Sequence, residues 1–355
     1  MKKICFICPS LYHGGLQNAI TVLANEMASR GHEVSIICLY KTPVFYSLDK
    51  SVNIILPTYS RSKYPTFIYY FKAILFLRKH LLSIKPDVAV SYGDYINPIS
   101  ILSTIGLKIP VYISDRSSPG KNFPFLVKKM RRLIYPLAKG IIAQTEAAKH
   151  QKIRMLGKYE NIQVIPNPIR PLIEYKNIPE ENIILGAGRH YEVKGFDRLI
   201  KAFAKLNQPD WKLWIAGSEG PHTNELKALV KNLNLTGKVE FLGAVKEIDK
   251  LFQKSKIFVL PSRSEGFPNA LIEAMANGLA CVSFDINAGP SEVIKNNENG
   301  LLVKDGDIDE LANKIDFLIT HEEERFRMGQ NAKKLKDQLS LSQIADLFFN
   351  FVAKH

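Results

Sequence analysis

Residues 265–273 read Glu265-Gly266-Phe267-Pro268-Asn269-Ala270-Leu271-Ile272-Glu273, two glutamates bracketing a glycine, a proline and an apolar run. The stretch follows an apolar, strand-like segment (Ile257–Leu260) and a turn-like P-S-R-S at 261–264, and it opens a helical pattern. Gly266 and Pro268 suit a strand-to-helix turn, with proline at the first helical positions. That reading predicts Glu265 in the loop and Glu273 well inside the helix. A fully helical path would set the two about 12 Å apart, since each residue rises roughly 1.5 Å. Carboxylates so separated cannot share a proton, but they can hold two ends of one polyhydroxylated ligand. Between them, the N–H groups at the helix start would face an anion. Hydroxyls at each end and a diphosphate in the middle describe a sugar nucleotide.

A second constellation agrees. Ile183 to Leu185 reads as a strand running into G-A-G-R-H-Y-E-V-K-G, and residues 196–206 follow with helical spacing. Gly188, Arg189 and Lys194 then occupy the loop after a strand, where parallel α/β sheets bind ligands. An arginine fork beside a lysine point charge suits a diphosphate. A third feature, Gly14-Gly15, lies between the first strand and the first helix, where glycine allows close backbone approach to phosphate or sugar.

In this order and spacing, the Gly-Gly loop, G-R-x4-K-G, E-x7-E and the turn at Gly289 resemble the retaining glycosyltransferases of the GT-B fold, family 4. Within that family the chain looks most like bacterial enzymes that assemble lipid-linked glycans, capsule or O-antigen. The resemblance implies two Rossmann-like domains with parallel sheets facing across a cleft, and a last helix crossing back to the first domain. It implies that Glu265 meets donor-sugar hydroxyls and Glu273 the ribose. Phe267, Pro268, Asn269 and Ala270 would supply the backbone edge of the donor pocket, with Gly266 in the turn. Gly289 and Glu292 would close over the nucleotide, for which UDP is favoured by analogy. The implied chemistry is anomer-retaining front-face attack, in which the leaving phosphate helps take the acceptor proton.

Many relatives carry a histidine after the fifth strand, where this chain has Asp115-Arg116. Asp115 is therefore a candidate to position the acceptor hydroxyl or to pair with Arg116, and His13 is a second polar candidate near the acceptor.

Composition bounds the reading. With 355 residues and 46% apolar content the chain can form two cores. Residues 1–170 hold 24 Lys and Arg against 8 Asp and Glu, whereas the remainder holds 24 against 26. The positive charge gathers in residues 64–80 and 121–139, both interleaved with aromatics and leucine. Such segments read as helices that lie on an anionic membrane surface, led by Lys128, Lys129, Arg131 and Arg132. No helix-turn-helix, zinc-finger or RNP pattern suggests nucleic acid. No run of eighteen uncharged apolar residues predicts a spanning helix, and the first residues read as a strand, not a signal peptide. Cys5-x-x-Cys8 would place its thiols on opposite faces of that strand, which disfavours a metal or redox pair. Four cysteines without regular spacing fit a reducing compartment. With the resemblance, the expected location is cytoplasmic, peripheral to the inner face of the plasma membrane.

Strand-like segments alternate with helical patterns throughout, which implies parallel sheets covered by helices. The stretch 166–180 carries four prolines and reads as the linker. The expected domains are 1–166, with about 341–355 returning to it by resemblance, and 167–340. Asp305-Gly306-Asp307 matches the D-x-D pattern of metal-dependent transferases but precedes an amphipathic helix, where capping accounts for it. No metal and no other cofactor is expected. The resulting expectation is transfer of a hexose or N-acetylhexosamine from a nucleotide sugar to a polyprenyl-diphosphate-linked glycan. A nucleotide-sugar epimerase of similar architecture would leave the basic half unexplained. A non-catalytic membrane adaptor would leave Arg189, Lys194, Glu265 and Glu273 unexplained.

Overall fold

The computed structural model describes all residues except His13, Lys158, Lys354 and His355. The chain forms two compact units, Met1–Arg170 with Leu339–His355, and Pro171–Gln338.

The first unit alternates β1 (Lys3–Cys8), α1 (Gly15–Ser29), β2 (Glu33–Cys38), β3 (Asn53–Ile55), α2 (Thr66–Ile84), β4 (Val88–Tyr92), α3 (Ile96–Thr104), β5 (Val111–Ser114), α4 (Phe125–Ile134), β6 (Gly140–Ala143), α5 (Glu146–Leu156) and β7 (Ile162–Val164). Its strands pair in parallel in the order β3-β2-β1-β4-β5-β6-β7. Helices cover both faces, so the strands are apolar throughout instead of alternating. Ile4, Phe6 and Cys8 of β1 enter one core, while Cys5 and Ile7 enter the other. Tyr69, Ala73, Leu77 and Leu81, four apart along α2, close the second core. Cys5 and Cys8 do face apart. The partner of Cys8 is Cys38, its neighbour in register on β2, at 3.7 Å between sulfurs.

The second unit runs β8 (Ile183–Ala187), α6 (Phe196–Phe203), β9 (Lys212–Ala216), α7 (Thr223–Asn232), β10 (Val239–Gly243), α8 (Ile248–Lys254), β11 (Ile257–Leu260), α9 (Asn269–Ala276), β12 (Ala280–Asp285), α10 (Pro290–Val293), β13 (Leu301–Lys304), α11 (Ile308–Thr320), α12 (Glu322–Lys333) and α13 (Leu335–Gln338). The sheet order is β10-β9-β8-β11-β12-β13, again parallel. β13 is a strand that the sequence reading does not include. Its four residues are short, and it pairs with the edge of β12. Asp307 accepts from the Glu310 N–H and so caps α11, while Asp305 pairs with Arg198 at 2.7 Å.

The last helix, α14 (Leu341–Val352), packs Ile344, Ala345, Phe348 and Val352 into the first unit, where Phe348 stacks on Phe6. None of the described helices is long and apolar enough to cross a membrane.

Candidate active site

In the second unit the loops after β8 and β11 are riveted together. Gly195 has φ near +67°, and a Cβ there would lie 2.0 Å from the Pro261 carbonyl oxygen, so glycine alone permits this approach. Arg263 completes the joint. It holds Asp197 with two parallel bonds of 2.7 and 2.8 Å and also donates to the Glu192 carbonyl. Planar guanidinium against planar carboxylate fixes the angle between the loops as well as their distance.

This joint brings the predicted groups face to face. Lys194 Nζ lies 2.7 Å from Glu265 Oε1, and the buried Ser262 hydroxyl donates to the same oxygen at 2.6 Å. Glu265 is 8% exposed, enough to reach a ligand but shielded from bulk water. Two donors therefore orient one carboxylate oxygen. The lysine expected to meet the donor diphosphate is thus also the ion-pair partner of Glu265. Sequence reasoning missed Ser262, and its three-residue spacing from Glu265 across a turn was the available signal.

Arg189 is exposed, with its guanidinium 5.0 Å from the Tyr191 ring centre. Gly188 donates its N–H to the Ala216 carbonyl and ties the loop to β9. The neighbouring His190 is a packing residue. It is buried, bonded to the Thr223 hydroxyl and flanked edge-on by Phe196 and Phe241. Burial lowers its pKa.

Pro268 stands immediately before α9 instead of within its first turn, and Asn269 starts the helix. Pro268, at the N-cap position, makes no side-chain capping bond. Gly266 and the half-buried Asn269 and Ala270 surround the entry, while Phe267 is packed inward. Glu273 is half-buried in α9. Gly289 (φ near +102°) leads into α10, and a Cβ there would meet Pro268 Cδ at 2.6 Å. The turn after β12 thus seats directly on the Glu265–Glu273 segment, with Glu292 exposed on α10.

In the first unit, Gly14 precedes α1 and Gly15 is its first residue. The Tyr46 hydroxyl bonds to both the N–H and the carbonyl of Gly14 and pins the loop. His13 lies outside the described residues.

Two expectations fail in this unit. Asp115 does not pair with Arg116. It is wholly buried, with Arg131 bonded to it, Lys152 at 3.0 Å and the Ser117 hydroxyl at 2.5 Å. Burial raises its pKa, but Lys152 and Arg131 outweigh that and hold the carboxyl well below the usual range. A carboxylate so enclosed is a structural counter-ion, not a group that meets an acceptor. Arg116 bonds instead to Ser114 and Asn167 and lies over the Tyr92 ring. The second failure is Arg131 as a surface cation. Only 3% exposed, it is the partner of Asp115. Lys128, Lys129 and Arg132 do lie on the exposed side of α4, together with Phe125, Leu126 and Leu133.

The family described as Glycosyltransferase Family 4 matches residues 13–171, and Glycosyl transferases group 1 matches residues 172–335. A Campylobacter jejuni protein is 31% identical over all of this chain and 99% of its own length. It is described as GalNAc-alpha-(1->4)-GalNAc-alpha-(1->3)-diNAcBac-PP-undecaprenol alpha-1,4-N-acetyl-D-galactosaminyltransferase. The chain belongs to the family 4 glycosyltransferases. A second Campylobacter jejuni relative, an N-acetylgalactosamine-N,N'-diacetylbacillosaminyl-diphospho-undecaprenol 4-alpha-N-acetylgalactosaminyltransferase, is 29% identical over 86% of each chain. Anabaena Alr3699/HepE, solved with UDP and glucose, superposes with a TM-score of 0.83 at 18% identity over the whole of both chains. That likeness establishes the GT-B fold of this glycosyltransferase. In its C-terminal unit, Arg189, Lys194, Ser262, Glu265 and α9 are gathered at one end of the sheet.

Proposed function

We propose that this glycosyltransferase moves an N-acetylhexosamine from a UDP-sugar to a hydroxyl of a polyprenyl-diphosphate-linked glycan, with retention at the anomeric centre. The observation that carries this reading is the full-length 31% identity to the Campylobacter enzyme, whose name specifies an undecaprenyl-diphosphate glycan. In this reading Arg189 and Lys194 stabilise the donor diphosphate, most of all as charge builds on the leaving group. Glu265, oriented by Ser262 and Lys194, accepts hydrogen bonds from the transferred sugar, and Glu273 meets the ribose. The N-terminus of α9 faces the diphosphate. Gly14, pinned by Tyr46, and Gly15 let the donor approach the backbone closely at the start of α1. No divalent metal is required.

The acceptor's lipid places the reaction at a membrane. The exposed face of α4 sets Lys128, Lys129 and Arg132 beside Phe125 and Leu126, which are 77% and 76% exposed. Basic residues flanking apolar ones suit adsorption to anionic lipid at the cytoplasmic surface.

The test is nucleotide release across UDP-, GDP- and ADP-sugars, with and without short polyprenyl-diphosphate saccharides, in the presence and absence of EDTA. Acceptor-dependent release from one UDP-N-acetylhexosamine, unaffected by EDTA and reduced about 100-fold or more in Glu265→Ala, is the expected result. Conversion of UDP-sugar without acceptor would instead identify an epimerase, and binding without turnover an adaptor.

A further inference from the structure

The switch point of the first sheet lies between β1 and β4, because the chain proceeds from β1 to β2 and β3 on one side and from β4 to β5 on the other. Loops after such neighbours diverge and leave a crevice for ligands. Here the loop after β4 leans on the loop after β1: a Cβ at Gly93, whose φ is near +114°, would sit 3.5 Å from Pro9 Cγ. The next residue is Asp94.

Asp94 differs from its neighbour Asp115 in what its oxygens meet. Asp115 has no exposed side-chain surface and is enclosed by Arg131, Lys152 and Ser117. The Asp94 side chain is 10% exposed. Its Oδ2 accepts from Lys121 Nζ at 2.7 Å. Its Oδ1 is buried and no described residue donates to it. The adjacent Asp115 carboxyl shares a hydrogen bond with Asp94 only when one of the two is protonated. A buried carboxylate oxygen without a donor is costly and is uncommon in native proteins unless a bound group supplies the donor. The exposed tenth of the Asp94 side chain leaves a route for such a group.

We propose that Asp94 Oδ1 accepts a hydrogen bond from a hydroxyl of the acceptor sugar and thereby orients the acceptor. The inference rests on the glycan-acceptor reading above and names the residue that Asp115 fails to be. A hydroxyl satisfies the oxygen, and the Lys121 contact fixes the carboxylate plane without occupying Oδ1.

The charged and titratable groups around Asp94 are Asp115 beyond β5, Lys121 in the loop before α4, Arg131 on α4, Tyr135 just after it and Lys152 on α5. Burial and the Asp115 carboxylate push Asp94 up to about 6, against the opposing effect of Lys121. Protonation removes the accepting charge, so acceptor turnover falls as pH drops through that value.

The experiment uses the full chain, UDP-N-acetylgalactosamine and a polyprenyl-diphosphate-linked N-acetylgalactosamine saccharide. Transfer is measured from pH 5 to 8 for the wild type, Asp94→Asn and Lys121→Met. Donor binding and the thermal midpoint are recorded separately. Asp94→Asn is expected to lose about 100-fold in kcat/KM for the acceptor, to keep its donor affinity and to lose the acidic limb near pH 6. Lys121→Met, which removes the group lowering the Asp94 pKa, is expected to shift that limb to higher pH. This second variant decides the matter if Asp94→Asn fails to fold. Wild-type-like transfer and pH profile in Asp94→Asn, or an unmoved limb in Lys121→Met, would overturn the assignment. Absence of transfer by the wild type with intact donor binding would refute the acceptor reading itself.

Discussion

Asp115 shows how a single residue's role depends on its surroundings. In the sequence it stands where relatives place a polar group near the reacting sugar. In the structure it neutralises two cations within the fold, Arg131 from α4 and Lys152 from α5. Removing one partner from a buried ionic cluster is strongly destabilising, because the remaining charges keep their desolvation cost. Asp115→Asn is expected to lower unfolding stability by about 3–5 kcal/mol at pH 7, as read by urea denaturation. The folded pKa is depressed below the ordinary 3.8, so the wild type's advantage is fully present above that value. It shrinks as pH falls below about 4. Repeating the denaturation at pH 3 should therefore narrow the gap between the two proteins.

α4 places its basic residues on two different sides. Arg131 faces inward to Asp115, with its guanidinium over the Phe123 ring, while Lys128, Lys129 and Arg132 face outward with Phe125, Leu126 and Leu133. At roughly 1 kcal/mol per basic residue near an anionic surface, replacing Lys128, Lys129 and Arg132 by glutamine should weaken binding about 100-fold. Cosedimentation with phosphatidylserine vesicles checks this, and the thermal midpoint should hardly change. Arg131→Gln is expected to do the reverse, with stability lost and vesicle affinity of the folded fraction retained. If the triple variant sediments like the wild type, α4 is an ordinary covering helix.

At the scale of the whole molecule, the chain's end supports its beginning. α14 fills the core of the first unit with Ile344, Phe348 and Val352, and Arg30 of the region after α1 pairs with Asp346. Truncating a buried phenylalanine to alanine costs about 3–5 kcal/mol. Phe348→Ala is therefore expected to accelerate amide hydrogen exchange throughout the first unit while leaving residues 171–338 protected as before. Equal acceleration in both units would mean that they unfold together. The same measurement, made with UDP-sugar present, reports whether nucleotide protects the loops after β8 and β11.

The amino-acid sequence alone determined the parallel strand–helix alternation, because sheets buried on both faces require uninterrupted apolar strands punctuated by polar turns. It also marked the loops after β8 and β11 as candidates for chemistry, since arginine, lysine and glutamate gather there beside glycine. β13 escaped, its four residues too short to give a periodic signal apart from the sheet they join. Only tertiary structure decided which charges are spent on one another. Lys194 meets Glu265 because Gly195 allows two loops to touch, and that approach is not visible in either loop's own sequence. Arg131 and Arg132 are adjacent in the chain, yet one is buried and the other is exposed. Helical geometry turns successive side chains by about 100°, and the carboxylate that draws Arg131 inward lies sixteen residues away in the loop after β5.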